Sequence, residues 1–147
     1  MSWLFLAYAA PAVVFLSIVM APFQVPDELN HALRVGLGLG RAIELSVAQT
    51  FVAARVLNGL AACLAGFFAL RICRRGRALM FATLLLPMTL SQVASASQDA
   101  LIIGLSHVAI AMASRLLSEG RIAGTGEFSL YAAIVAATTM ARLRTSP

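Results

Sequence analysis

Charge in this sequence comes in short clusters separated by long neutral runs, and that spacing constrains the fold more than any motif. Residues 1–26 carry no charged side chain, residues 78–98 carry none, and residues 45–70 carry only Arg55. Each run supplies the roughly 20 helical residues that cross a hydrocarbon core. Charged residues make up 12% of the chain and hydrophobic ones 61%, with a mean hydropathy of +0.90. A soluble domain carries about 25% charged residues, so half the usual solvating surface is missing. Inside a bilayer the backbone must satisfy its own hydrogen bonds, which leaves helices for runs of this kind. The sequence therefore predicts an all-α fold: a polytopic transmembrane helix bundle, with 1–147 as a single transmembrane domain.

Eleven arginines and no lysine stand against six acids, for a net charge of +5. The arginines lie at the ends of the apolar runs, as topology signals do, and this placement argues against a nucleic-acid partner. Membrane lipid is the expected surrounding. Cys63 and Cys73 form no CxxC and have no neighbouring histidine, so they indicate neither a disulfide nor a metal site. The N-terminal run WLFLAYAAPAVVFLSIVMA lacks a basic region before it and exceeds the apolar stretch of a signal peptide. It reads as a retained first span, with cleavage as the alternative.

Five spans fit, at about 3–22, 50–70, 78–96, 99–117 and 127–143. The heptapeptide RICRRGR, with Arg71, Arg74, Arg75 and Arg77, is the strongest orientation signal. Lysine and arginine are biased to the cytoplasmic side, which places this segment and the N-terminus inside. Residues 23–49 and the junction at 95–99 are then outside, and 114–127 returns inside with Arg115 and Arg121. Arg34 and Arg41 are outside, as are Arg142 and Arg144 after the last span.

Residues 22–31 read PFQVPDELNH. Pro26 suits the first position of a helix, where its missing N–H costs nothing. Asp27 and Glu28 then fall in the first turn, where the helix dipole favours anions. At 100° per residue Asp27, His31 and Arg34 share one side, with Leu29, Leu33 and Leu37 on another. This pattern predicts a short amphipathic helix on the outer interface after span one. It ends within Gly36–Gly40, since repeated glycine weakens a helix. The plain alternative is a solvated loop. As a phosphate loop GLGLG is weak, because no strand precedes it.

Other polar residues point to the same side. Arg55 lies near the outer end of span two, either snorkelling or lining a cavity. Span three carries Ser91, Gln92, Ser95, Ser97 and Gln98 in its outer half, with Pro87 expected to kink it. A segment this polar borders protein or water rather than lipid. Ser95 and Gln98 have capping-box spacing that starts span four near Asp99; Asp99 is a helix-capping residue or part of a site. His107, mid-span, is a histidine bonded to a neighbouring helix or a proton relay. Ala100 and Gly104, four apart, form a helix-packing face.

The blocks PFQVPDELNHALR, AARVLNGL and LPMTLSQVASASQDALIIGLS, in that order, resemble the bacterial membrane proteins of domain-of-unknown-function family DUF2142. The terminal MARLRTSP resembles that family's basic segment after span five, with arginines where a lysine is more usual. The family is similar to the GT-C glycosyltransferases, which use polyprenyl-phosphate-linked sugars. The resemblance implies that Asp27 or Glu28 serves as catalytic base or helps hold a divalent metal. It implies phosphate or substrate contacts at Arg55 and Arg34 and substrate contacts at His31 and Asp99, with His31 alternatively orienting the base or serving as a ligand. It also implies a place in the bacterial cytoplasmic (inner) membrane and a role in cell-envelope glycan assembly. A typical member continues through several more spans, so the chain corresponds to the N-terminal part of one, a fragment of a longer protein. The alternative function is a non-catalytic membrane protein: an accessory or flippase-like subunit, or a truncated inactive copy.

Overall fold

The computed structural model describes residues 1–20, 46–95, 99–120 and 122–143. Six helices account for nearly all of them: α1 Ser2–Val19, α2 Val47–Ile72, α3 Arg77–Leu84, α4 Pro87–Val93, α5 Asp99–Glu119 and α6 Thr125–Leu143. The fold is all-helical, as the sequence predicts. Three helices are long and apolar enough to cross a membrane: α1, α2 over Ala48–Ile72, and α5. The segment expected as span three is divided between α3 and α4. The segment expected as span five is α6, whose Gly126, Glu127, Ser129, Thr138 and Thr139 dilute its apolar character.

α2 is the central helix, packed against both α1 and α5. α1 turns one stripe inward, Phe5, Ala9, Val13 and Ser17, each one turn beyond the last. Against it α2 presents glycines: a Cβ on Gly59 would collide with the Val13 side chain and lie 3.1 Å from the Val93 carbonyl. A Cβ on Gly66 would lie 2.9 Å from the Phe5 ring. Val13 thus faces Gly59 while Phe5 faces Gly66, so α1 and α2 are antiparallel. α5 runs parallel to α2, with Gly104 against Ala62 and Ala65. Ala100 is fully buried, so the expected packing face is present. α6 packs on α5, burying Ile134 against Ala109 and Met112.

The bundle is apolar outside as well as in. Trp3, Leu4, Tyr8, Phe15, Leu64, Phe68, Ile110 and Phe128 are all exposed, while Ser17, Arg55 and Ser95 are buried. Contiguous exposed apolar surface of this kind is a liability in water. It is the expected exterior of a helix bundle solvated by lipid.

The break between α3 and α4 has a specific cause. Pro87 has no N–H to offer the Thr83 carbonyl four residues back. Its ring also pushes Leu86 out of the helical region, to φ −58° and ψ 136°. The Thr83 carbonyl is satisfied instead by the Thr89 hydroxyl at 2.9 Å and by Leu86 N–H at 3.4 Å. The proline therefore divides the segment rather than bending it. Pro87→Ala is expected to rejoin α3 and α4. Spin labels at Ala78 and Ser91 should then move to the separation of about 20 Å set by thirteen residues of one helix. An unchanged distance would show that packing, not the proline, holds the break.

Candidate functional site

The end of the bundle where α1 stops and α2 starts gathers the buried polar side chains. α2 begins at a capping box: the Ser46 hydroxyl accepts from Gln49 N–H, and the Gln49 side chain accepts from Ser46 N–H. The S-x-x-Q spacing signals this start, three residues ahead of the expected 50. Arg55 then lies about 12 Å into the helix, by 1.5 Å per residue.

Its guanidinium does not snorkel. Arg55 is 2% exposed and turns inward, donating to the Met20 carbonyl at 2.8 Å and to the Ser17 carbonyl at 3.4 Å. These are carbonyls of the α1 C-terminus, which have no partner within their own helix and which the helix dipole makes attractive to a cation. The Phe51 ring, one turn before Arg55, lies 4.6 Å from the guanidinium carbon.

α4 and the start of α5 close the other side. The Ser17 hydroxyl donates to the Val13 carbonyl and lies 3.3 Å from the Ala94 carbonyl just past α4. Asn58, one turn below Arg55, donates to the Ser95 carbonyl at 3.0 Å. The Ser95 hydroxyl donates to the Gln92 carbonyl at 2.7 Å. Gln92 Oε1 is buried and meets no hydrogen-bond donor among the described residues.

The outer half of the expected span three thus faces protein, at Gln92, Val93, Ala94 and Ser95. Asp99 lies exposed in the first turn of α5 at the same end. Arg55 and Asp99 are brought to one end of the bundle by different helices. Asp27, Glu28, His31 and Arg34, with the expected interfacial helix that carries them, lie outside the described residues. Met20 and Ser46, which flank residues 21–45, are both at this end.

Sequence reasoning passed over Ser17, Asn58 and the Gln92 amide oxygen. Ser17 had no signal, because the stripe it shares with Phe5, Ala9 and Val13 is set apart only by its burial. Asn58 had one, lying one turn from Arg55. No group of three His, Cys, Asp or Glu that could hold a metal occurs among the described residues. The residues to which the resemblance assigns a metal, Asp27 and Glu28, are not among them.

His107 is separate from this cluster. Its Nδ1 donates to the Ile103 carbonyl at 2.8 Å, so Nε2, 3.3 Å from the Thr83 hydroxyl, is the nitrogen that faces α3. It therefore joins α5 to the turn where the proline break lies.

No curated protein and no solved structure matches this chain. A family model does, over residues 32–147, described as a predicted membrane protein. That match includes Arg34, Arg55 and Asp99 and begins just after His31. With its apolar helices and most of its length within the match, the chain belongs to the DUF2142 family of predicted membrane proteins.

Proposed function

We propose that this chain is a GT-C-like glycosyltransferase module acting on a polyprenyl-phosphate-linked sugar in cell-envelope glycan assembly. It crosses the bacterial cytoplasmic membrane five times, α3 and α4 together making one crossing and α6 the last. The N-terminus and RICRRGR are cytoplasmic, and the Arg55 end faces outward. The observation that supports this reading is the buried Arg55 guanidinium, at the end where the connection bearing Asp27 and Glu28 leaves α1 and enters α2.

The chemistry needs few parts. Asp27 or Glu28 takes the proton from an acceptor hydroxyl. The hydroxyl oxygen bonds to the anomeric carbon of the sugar as the bond from that carbon to the phosphate oxygen breaks. The polyprenyl phosphate leaves with growing negative charge, which Arg55 or Arg34 stabilises. His31 orients the base, and Asp99 borders the acceptor side.

Asp27→Asn and Glu28→Gln test this reading, because they keep size and most hydrogen bonding while removing charge. In membranes containing the protein, transfer from a polyprenyl-phosphate sugar should fall at least about a hundredfold in one of them, the scale of losing a general base. Equal transfer by both variants and the native chain, at equal expression, would leave the accessory or flippase-like reading.

A further inference from the structure

The opposite end of the bundle is built from arginine. Arg71, Arg74, Arg75 and Arg77 fall within seven residues, from the last turn of α2 to the first residue of α3. Arg115 of α5 joins them, because its neighbour Ser114 bonds to this turn. The Ser114 hydroxyl donates to the Arg75 carbonyl at 2.8 Å and accepts from Arg75 N–H at 3.1 Å. Arg77 spends Nε and one terminal nitrogen on the Cys73 carbonyl, at 3.2 and 2.9 Å. Gly76 completes the turn at φ 78°, a left-handed conformation that glycine adopts without strain.

The backbone is thus tied down while the charge is left outward. Arg74 and Arg75 are exposed, and their side chains make no hydrogen bond or ion pair among the described residues. The acids at this end are occupied: Glu119 pairs with Arg115 at 2.9 Å, and Glu127 accepts from Gly124 N–H at 3.2 Å. Arg71 stacks over Phe67, 5.7 Å from the ring centroid, and Trp3 meets the same ring edge-on at 5.0 Å. Trp3 is 70% exposed. Exposed tryptophan at a helix end marks the headgroup level of a bilayer, so the arginines stand at the depth of lipid phosphates.

We infer that this arginine turn binds the phosphate of anionic phospholipids and selects them over zwitterionic ones. A guanidinium matches phosphate with two parallel hydrogen bonds. An anionic headgroup meets the excess of positive charge without a choline cation to offset it. The preference belongs to a lipid in the bilayer rather than to a soluble anion, because the exposed Trp3 ring beside Arg71 places the turn at the headgroup level.

Trp3 is the chain's sole tryptophan and lies one ring away from Arg71, so it reports on the lipid beside the turn. The native chain is reconstituted in mixed phosphatidylcholine and phosphatidylglycerol bilayers, with one or the other lipid brominated near the headgroup. Brominated phosphatidylglycerol should quench Trp3 as though enriched at least about fivefold over its bulk fraction, the effect of one arginine at a charged surface. The Arg74→Gln, Arg75→Gln double variant should fall to near parity. Arg74→Lys with Arg75→Lys should keep most of the enrichment. Equal quenching by the two lipids in the native chain overturns the inference, as does enrichment unchanged in the double glutamine variant. Loss of the enrichment on adding millimolar inorganic phosphate, at constant ionic strength, would assign the turn to a soluble anion and overturn it as well.

Discussion

Gly104→Leu is expected to separate α5 from α2 and to expose Cys63 to thiol reagents well below the native unfolding temperature. A Cβ at this position already lies 2.9 Å from the Ala65 Cβ and 3.4 Å from the Ala62 Cα. The facing atoms are short side chain and backbone, which have no flexible end to swing aside. Three further carbons would enter a contact with no room for the first. Overpacking of this kind costs about 3 kcal/mol or more, and α2–α5 is one of the two principal contacts of the bundle. Cys63 and Cys73 are 2% and 1% exposed, so a thiol-reactive fluorophore reads unfolding directly. Gly104→Ala should shift the transition by a smaller amount in the same direction. Leu101→Ala, at an exposed position on the same helix, should shift it little. Native behaviour of Gly104→Leu would show that the two helices do not meet there.

Arg55→Leu is expected to loosen the junction of α1 with α2, lowering the same transition by on the order of 10 °C. Leucine fills part of the volume but donates nothing. The Met20 and Ser17 carbonyls then lose a charged donor, and hydrogen bonds to charged groups are worth about 1.5–3 kcal/mol each. A buried acceptor left without its donor costs about 1–3 kcal/mol. Arg55→Lys keeps the charge but not the planar fork that reaches two carbonyls while stacking on Phe51. It should recover about half of the loss. Because Arg55 also stands in the proposed site, transfer separates its two roles. If Arg55→Lys regains stability but not transfer, the guanidinium acts on substrate as well as on α1. Stability equal to the native chain in Arg55→Leu would contradict the buried contacts.

The parts of this structure legible in the sequence are those that follow from local chemistry. Long uncharged runs gave away helices α1, α2 and α5, because a backbone in lipid has few alternatives. Pro87 announced a disturbance in span three, since its effects act on its own neighbours, although a kink is expected there and the helix divides after Leu84. Ala100 and Gly104 announced close packing, because small residues four apart form one surface.

What stayed illegible depends on which helix a face meets. α1 is apolar on nearly every side, so no polar contrast distinguishes the Phe5–Ala9–Val13–Ser17 stripe from the lipid-facing one. Arg55 had two directions open to it, and only the α1 carbonyls at Ser17 and Met20 decide for the inward one. That the Gln92 oxygen is buried is a property of packing, and no spacing announces it. α6 is not among the three helices long and apolar enough to cross a membrane, and its Thr138 and Thr139 hydroxyls both donate to the Val135 carbonyl.

A transferase that draws on a lipid-linked sugar outside the cell needs the Arg55 end on the outer face, so sidedness tests the account most directly. Single cysteines are placed at Asn30 and at Ala78, in a chain lacking Cys63 and Cys73, with every arginine kept. Intact cells are then treated with a membrane-impermeant thiol reagent. Cysteine at position 30 should label at once, and cysteine at position 78, beside the arginine turn, only after the membrane is permeabilised. Labelling of position 78 from outside, with position 30 protected, would place the polar cluster in the cytoplasm and contradict the account.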